Sequence, residues 1–193
     1  CFSAPVSNPI IAALDVPTAN EALTLAKAVA PAVGAFKIGK ELFVAEGPDI
    51  VRRVRDTGAA VFLDLKFHDI PNTVAKAVTS AAQQDVQMLT VHASGGTAML
   101  RAAQEAAGDN GPLVLGVTVL TSMDEQDLTE LGIQKTPAEQ VHHLAQLATA
   151  AGLRGFLEED DVQFLLQEIG PNVAPSQEGG HRRSITGDLT YDY

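Results

Sequence analysis

Within the segment VFLDLKFHDIPN, residues 61–72, an apolar strand-like run carries Asp64, Lys66 and Asp69 within six residues and then stops at Pro71. Charges at the end of a buried strand are costly unless they serve a site. Strand side chains alternate faces, so Asp64 and Lys66 point the same way while Leu65 and Phe67 point the other. A carboxylate is thereby held beside an ammonium. Asp69 falls beyond the strand, in the turn before Pro71, and proline suits the first turn of a following helix. Taken alone, D-x-K-x-x-D is also the pattern of a surface ion-pair cluster.

Two further charges end apolar runs of the same kind, Asp15 in PIIAALD and Lys37 in AFKIGK. Each alone could be a helix cap or a solvated rim charge. With Asp64, Lys66 and Asp69 they form a set of alternating sign converging from three strands. Opposite charges a few ångströms apart favour each other's ionised form, so such a row presents a fixed field to a substrate without needing a metal. His92 in LTVHASGG is read as a packed strand-end histidine, because no serine triad, cysteine or second histidine accompanies it. Gly95-Gly96 lets the backbone turn into the next helix and is not a G-x-G-x-x-G fingerprint. His142 and His143 are read as solvent-face residues of a helix. Thr121 and Ser122, after GVTVL, either bond a heterocycle through their hydroxyls or cap the following segment.

These residues must be positioned by the elements that carry them. Apolar, β-rich runs recur at 10–14, 35–38, 60–65, 88–91 and 113–120, about 25 residues apart. Between them, alanine-rich segments with helical periodicity span 19–33, 48–57, 71–84, 97–107 and 137–151. Several end at glycine, at Gly34, Gly58, Gly108 and Gly152, where a left-handed cap belongs. Strand–helix alternation implies parallel strands covered by helices. Polar or charged residues close nearly every strand, at Asp15, Lys37, Asp64, Lys66, His92 and Thr121/Ser122. An open doubly wound sheet needs them only near its switch point, whereas a barrel gathers every strand end on one rim. The expected fold is therefore α/β, a single (β/α)8 TIM barrel domain over residues 1–193, incomplete in the region 157–193.

Composition bounds the function. The 193 residues are 46% apolar, enough for one substantial core. Thirteen basic against 24 acidic residues give a net charge of −11, and no basic run exceeds two residues, which argues against a nucleic-acid or anionic-membrane partner. No apolar stretch approaches the ~20 residues of a membrane span. One cysteine, Cys1, forms no internal disulfide, which suits a cytoplasmic protein. The first residue is not methionine, so the chain is expected to be processed or to be part of a longer product.

The motifs IIAALDV, FKIGKELF, VFLDLKFHDIPNTV, VHASGG and GVTVLTSM, in order from about Ile10 to Gly155, closely resemble the orotidine 5′-phosphate decarboxylases. The shorter D-x-K-x-x-D core is shared with metal-dependent sugar-phosphate decarboxylases and aldolases on the same barrel, without the FHDIPNT continuation. The resemblance implies a carboxy-lyase of UMP biosynthesis acting without cofactor or metal. It implies that Asp15 holds the ribose hydroxyls, that Lys37 binds the ribose and the charged row, that Asp64 lies against the substrate carboxylate and that Lys66 protonates C6. Asp69, Ile70 and Thr73 are implied to reach the active site of the other subunit of a homodimer, and Thr121 and Ser122 to contact the pyrimidine.

The last fifth departs from the family. LEEDDVQFLLQEIG reads as a helix, and His181 stands where the family has a phosphate-loop glutamine, implying a substrate contact. RRSITGDLTYDY reaches an eighth strand, and the chain stops at Tyr193 before the segment whose arginine binds phosphate. The pattern is that of a longer chain with segments left out near Phe156/Leu157, Pro175/Ser176 and Thr186–Asp188, rather than a true deletion. Two alternatives follow: a metal-dependent sugar-phosphate enzyme of the same superfamily, and a catalytically degenerate nucleotide-binding barrel.

Overall fold

The computed structural model of the chain describes residues 8–157 and the short strands at 164–166 and 190–191. The elements run β1 (Ile10–Ala13), α1 (Ala19–Val29), β2 (Ala35–Gly39), α2 (Lys40–Glu46), α3 (Asp49–Arg55), β3 (Ala60–Phe67), α4 (Pro71–Ala82), β4 (Met88–His92), α5 (Gly96–Ala107), β5 (Leu113–Val117), α6 (Glu125–Glu130), α7 (Pro137–Ala150), β6 (Gly155–Leu157), β7 (Phe164–Leu166) and β8 (Thr190–Tyr191). The strands join in one sheet in the order β7-β6-β5-β4-β3-β2-β1-β8. From β1 to β6 each strand pairs parallel with the next, and β8 adds in parallel to β1.

Side-chain alternation sorts the strands into two layers. On the outer face Phe36, Ile38, Val61, Leu63, Leu89, Val91 and Val114 pack with the apolar stripes of the helices, such as Ala22 and Ala26 of α1, Val74 and Val78 of α4 and Leu100 and Ala103 of α5. On the inner face Ile11, Ala35, Phe62, Met88, Leu113, Leu115, Val117 and Leu157 form a cluster built from strand residues alone. A doubly wound sheet has helices on both faces. Helices on one face and a strand-only core on the other are the layout of a barrel wall.

Local chemistry sets the element ends. Thr18 caps α1 by accepting from Glu21 N–H, and Thr136 and Glu139 form a reciprocal capping box at α7. Helix α1 stops at Val29 rather than Val33, giving way to a 3₁₀ turn containing Pro31. Positive φ ends helices at Gly58, Gly108 and Gly152 but not at Gly34. Gly34 is instead a strand entry: its N–H donates to Ile10 O, and its carbonyl accepts from Ala60 N–H.

Two expectations fail in the last fifth. Leu157 and Phe164–Leu166 are strand residues rather than part of a helix, and β7 runs antiparallel to β6. The stretch is acidic and apolar by turns, which imitates helical periodicity, while a three-residue strand offers no periodicity of its own. Pro175/Ser176, His181 and Thr186–Asp188 lie outside the described residues. Among the described residues no helix is long and apolar enough to cross a membrane.

Candidate active site

The inner faces of β2, β3 and β4 continue past their apolar layer into polar residues. Ala35, Phe62 and Met88 lie in the strand-only core, and two residues further along each strand stand Lys37, Asp64 and Thr90. All three are buried, with Lys37 and Asp64 only 4% and 3% exposed. Burying a charge is tolerated when it is paired and hydrogen-bonded. Lys37 Nζ lies 3.2 Å from Asp15 Oδ2, and Lys66 Nζ lies 2.7 Å from Asp64 Oδ2. The Asp64–Lys66 pair anticipated from sequence therefore forms, and the converging charges Asp15 and Lys37 meet as a second pair, each at the carboxyl end of its strands. Gly39 stands opposite Asp64 in the β2–β3 register.

The Asp64–Lys66 pair is not reached by plain strand alternation. The β3–β4 register pairs Leu63 with Leu89 and Phe67 with Val91, so three residues of β3, Asp64 to Lys66, face the single residue Thr90. Lys66 takes φ +52°, the left-handed region that costs a side-chain-bearing residue about 1–3 kcal/mol and persists only where surrounding contacts impose it. Two contacts impose it here: Lys66 N–H donates to Thr90 Oγ1 at 2.9 Å, and Thr90 Oγ1–H donates to Asp64 Oδ1 at 2.8 Å. Each carboxylate oxygen of Asp64 thus accepts one bond, one from the hydroxyl and one from the ammonium. The outcome is a fixed anion–cation couple in a largely dry setting, where a field acts most strongly on developing charge.

His92 ends β4 on the same face, half-buried, with its ring centroid 5.4 Å from that of His68. Burial, then the neighbouring His68, Lys40 and Lys66, push its pKa down to about 4, against a smaller opposing pull from Asp64. It is neutral near pH 7, in keeping with a packed ring.

The remaining candidates stand further out. Asp69 is exposed, and its Oδ1 accepts from Ile70 N–H at 2.6 Å. Ile70 is 65% exposed at the cap of α4, and Thr73 is exposed in its first turn. Thr121 and Ser122 are exposed in the turn after β5, at the same end of the sheet as the charge row. Sequence reasoning passed over Thr90 and His68. The signal for Thr90 was weak: a threonine inside LTVH looks like an ordinary β-branched strand residue.

A profile of the family described as "Orotidine 5′-phosphate decarboxylase / HUMPS family" matches residues 8–192. The orotidine 5′-phosphate decarboxylase of Pseudoalteromonas translucida (strain TAC 125) is 47% identical over 199 residues, covering 96% of this chain and 85% of the relative. Among solved structures, an uncharacterized conserved protein from Geobacillus kaustophilus superposes with a TM-score of 0.73 at 41% identity, covering 77% of this chain and 73% of the other. The orotidine 5′-phosphate decarboxylase of Lactobacillus acidophilus gives a TM-score of 0.69 at 34% identity, covering 78% and 70%.

Proposed function

We propose that this chain, which belongs to the orotidine 5′-phosphate decarboxylase / HUMPS family, is a carboxy-lyase that converts orotidine 5′-phosphate to UMP without a cofactor. The observation that carries this reading is the Asp64–Lys66 couple, 2.7 Å apart at the end of β3, with the carboxylate buried and the ammonium partly so. In the reaction the bond from C6 to the carboxylate breaks, carbon dioxide leaves, and the electron pair stays on C6. An ammonium fixed beside that carbon stabilises the charge as it develops and then supplies the proton, which is the role assigned to Lys66. Asp64 lies against the departing carboxylate and disfavours the bound ground state, a smaller contribution. Binding energy from the remote phosphate offsets that crowding.

The other roles follow from position. Asp15 and Lys37, paired at 3.2 Å, hold the ribose hydroxyls, and Thr121 and Ser122 contact the pyrimidine from the turn after β5. For His181 the role of a phosphate-end contact rests on the sequence resemblance alone. Asp69, Ile70 and Thr73 serve the site of a second subunit in a homodimer, a role supported by the exposure of Ile70 beside a charged residue. The enzyme is a single (β/α)8 barrel acting in the cytoplasm.

The direct test is incubation of the purified protein with orotidine 5′-phosphate, following UMP formation with and without EDTA. The expected result is UMP formation that the chelator leaves unchanged. Absence of UMP, or turnover lost on chelation, would overturn the reading.

A further inference from the structure

We infer that Thr90 is a positioning residue for Lys66: its hydroxyl fixes both the backbone conformation of the lysine and the carboxylate against which the lysine is held. The inference rests on the proposed roles of Asp64 and Lys66 and adds a residue to them.

Because Asp64, Leu65 and Lys66 face one residue of β4, regular pairing is interrupted there, and a backbone N–H inside a half-buried strand needs another acceptor. Thr90 Oγ1 supplies it to Lys66 N–H at 2.9 Å. A hydroxyl has one proton to give and lone pairs to accept with. Since Lys66 N–H can only donate, the Thr90 proton is directed to Asp64 Oδ1, 2.8 Å away. That bond leaves Oδ2 for the Lys66 ammonium at 2.7 Å. Thr90, Asp64 and Lys66 therefore close a ring of three contacts through one hydroxyl.

The ring accounts for the φ of +52° at Lys66, since a residue with a side chain stays in that region only when its surroundings hold it there. It also accounts for a fully buried threonine at a position where valine has the same shape. Without the hydroxyl, Lys66 N–H and Asp64 Oδ1 both lose their partners. The bulge is then free to relax, and the ammonium moves relative to C6. Displacement of a reacting group by about 1 Å costs up to about 100-fold in rate.

The test compares Thr90→Val, which keeps shape and removes the hydroxyl, with Thr90→Ser, which keeps the hydroxyl. With orotidine 5′-phosphate, Thr90→Val is expected to lower kcat by about 10- to 100-fold with KM within about threefold, while Thr90→Ser stays within about threefold of wild type in both. Amide hydrogen exchange at Lys66 is the readout that needs no activity: slow in wild type and Thr90→Ser, at least about tenfold faster in Thr90→Val. Unchanged kcat in Thr90→Val, Thr90→Ser as impaired as Thr90→Val, or an unprotected Lys66 amide in the wild type would each overturn the inference. The wild-type exchange measurement stands even if Thr90→Val does not fold. Wild-type protein that forms no UMP refutes the proposed function instead, leaving the exchange rates to decide the role of Thr90.

Discussion

His92 and His68 face each other at the carboxyl end of the sheet, ring centroids 5.4 Å apart and planes inclined at 47°. Burial disfavours a proton on His92, and the neighbouring His68, Lys40 and Lys66 add to that penalty.

A pH prediction follows. The His92 pKa is pushed down to about 4 in the fold, below its ordinary value of 6.5, so between those values the unfolded chain binds the proton more readily. Stability from this group is complete above about pH 6.5 and is lost as pH falls towards 4. Replacing His92 with asparagine should flatten that part of the profile. Denaturation midpoints at pH 7 and pH 5 check this: the wild-type midpoint should fall by more than that of the variant. Equal falls would show that His92 does not titrate as described.

The layer beneath the charge row should carry much of the stability. Phe62 is fully buried in the strand-only core, directly below Asp64 on the same face of β3. Phe62→Ala should destabilise the protein by about 3–5 kcal/mol, read from chemical denaturation. A loss below about 1 kcal/mol would mean that this core is not closely packed.

The proposed shared site makes a quantitative forecast. Lys66→Ala and Asp69→Ala proteins should each be inactive, and mixing them should restore activity. In a heterodimer one site carries both defects and the other carries neither. With half of all dimers mixed, recovery should approach about a quarter of wild-type turnover. No recovery after verified subunit exchange would assign Asp69 to its own subunit's site or to none.

Much of this was legible in the sequence because it depends on type and spacing. The charged strand ends Asp15, Lys37, Asp64 and Lys66 broke apolar runs whose period announced parallel strands, and they do meet as the pairs Asp15–Lys37 and Asp64–Lys66. What escaped depends on register. Nothing in VFLDLKF shows that Lys66 leaves regular β geometry, because the bulge arises from pairing with β4. Helices α2 and α6 escaped for another reason: at seven and six residues, each fully buries one residue, Leu42 and Leu128, and so short a segment makes no clear period. The capping box of Asp124 and Asp127 was the available signal for α6.

The central claim is that Lys66 supplies the cation and the proton. The most direct measurement is kcat/KM for Lys66→Ala with orotidine 5′-phosphate, alongside its thermal unfolding and its affinity for UMP. Lys66 lies at a strand end and not in the apolar core, so the variant should fold and bind UMP while kcat/KM falls by at least about 1,000-fold. A folded Lys66→Ala protein within about tenfold of wild type would contradict the account.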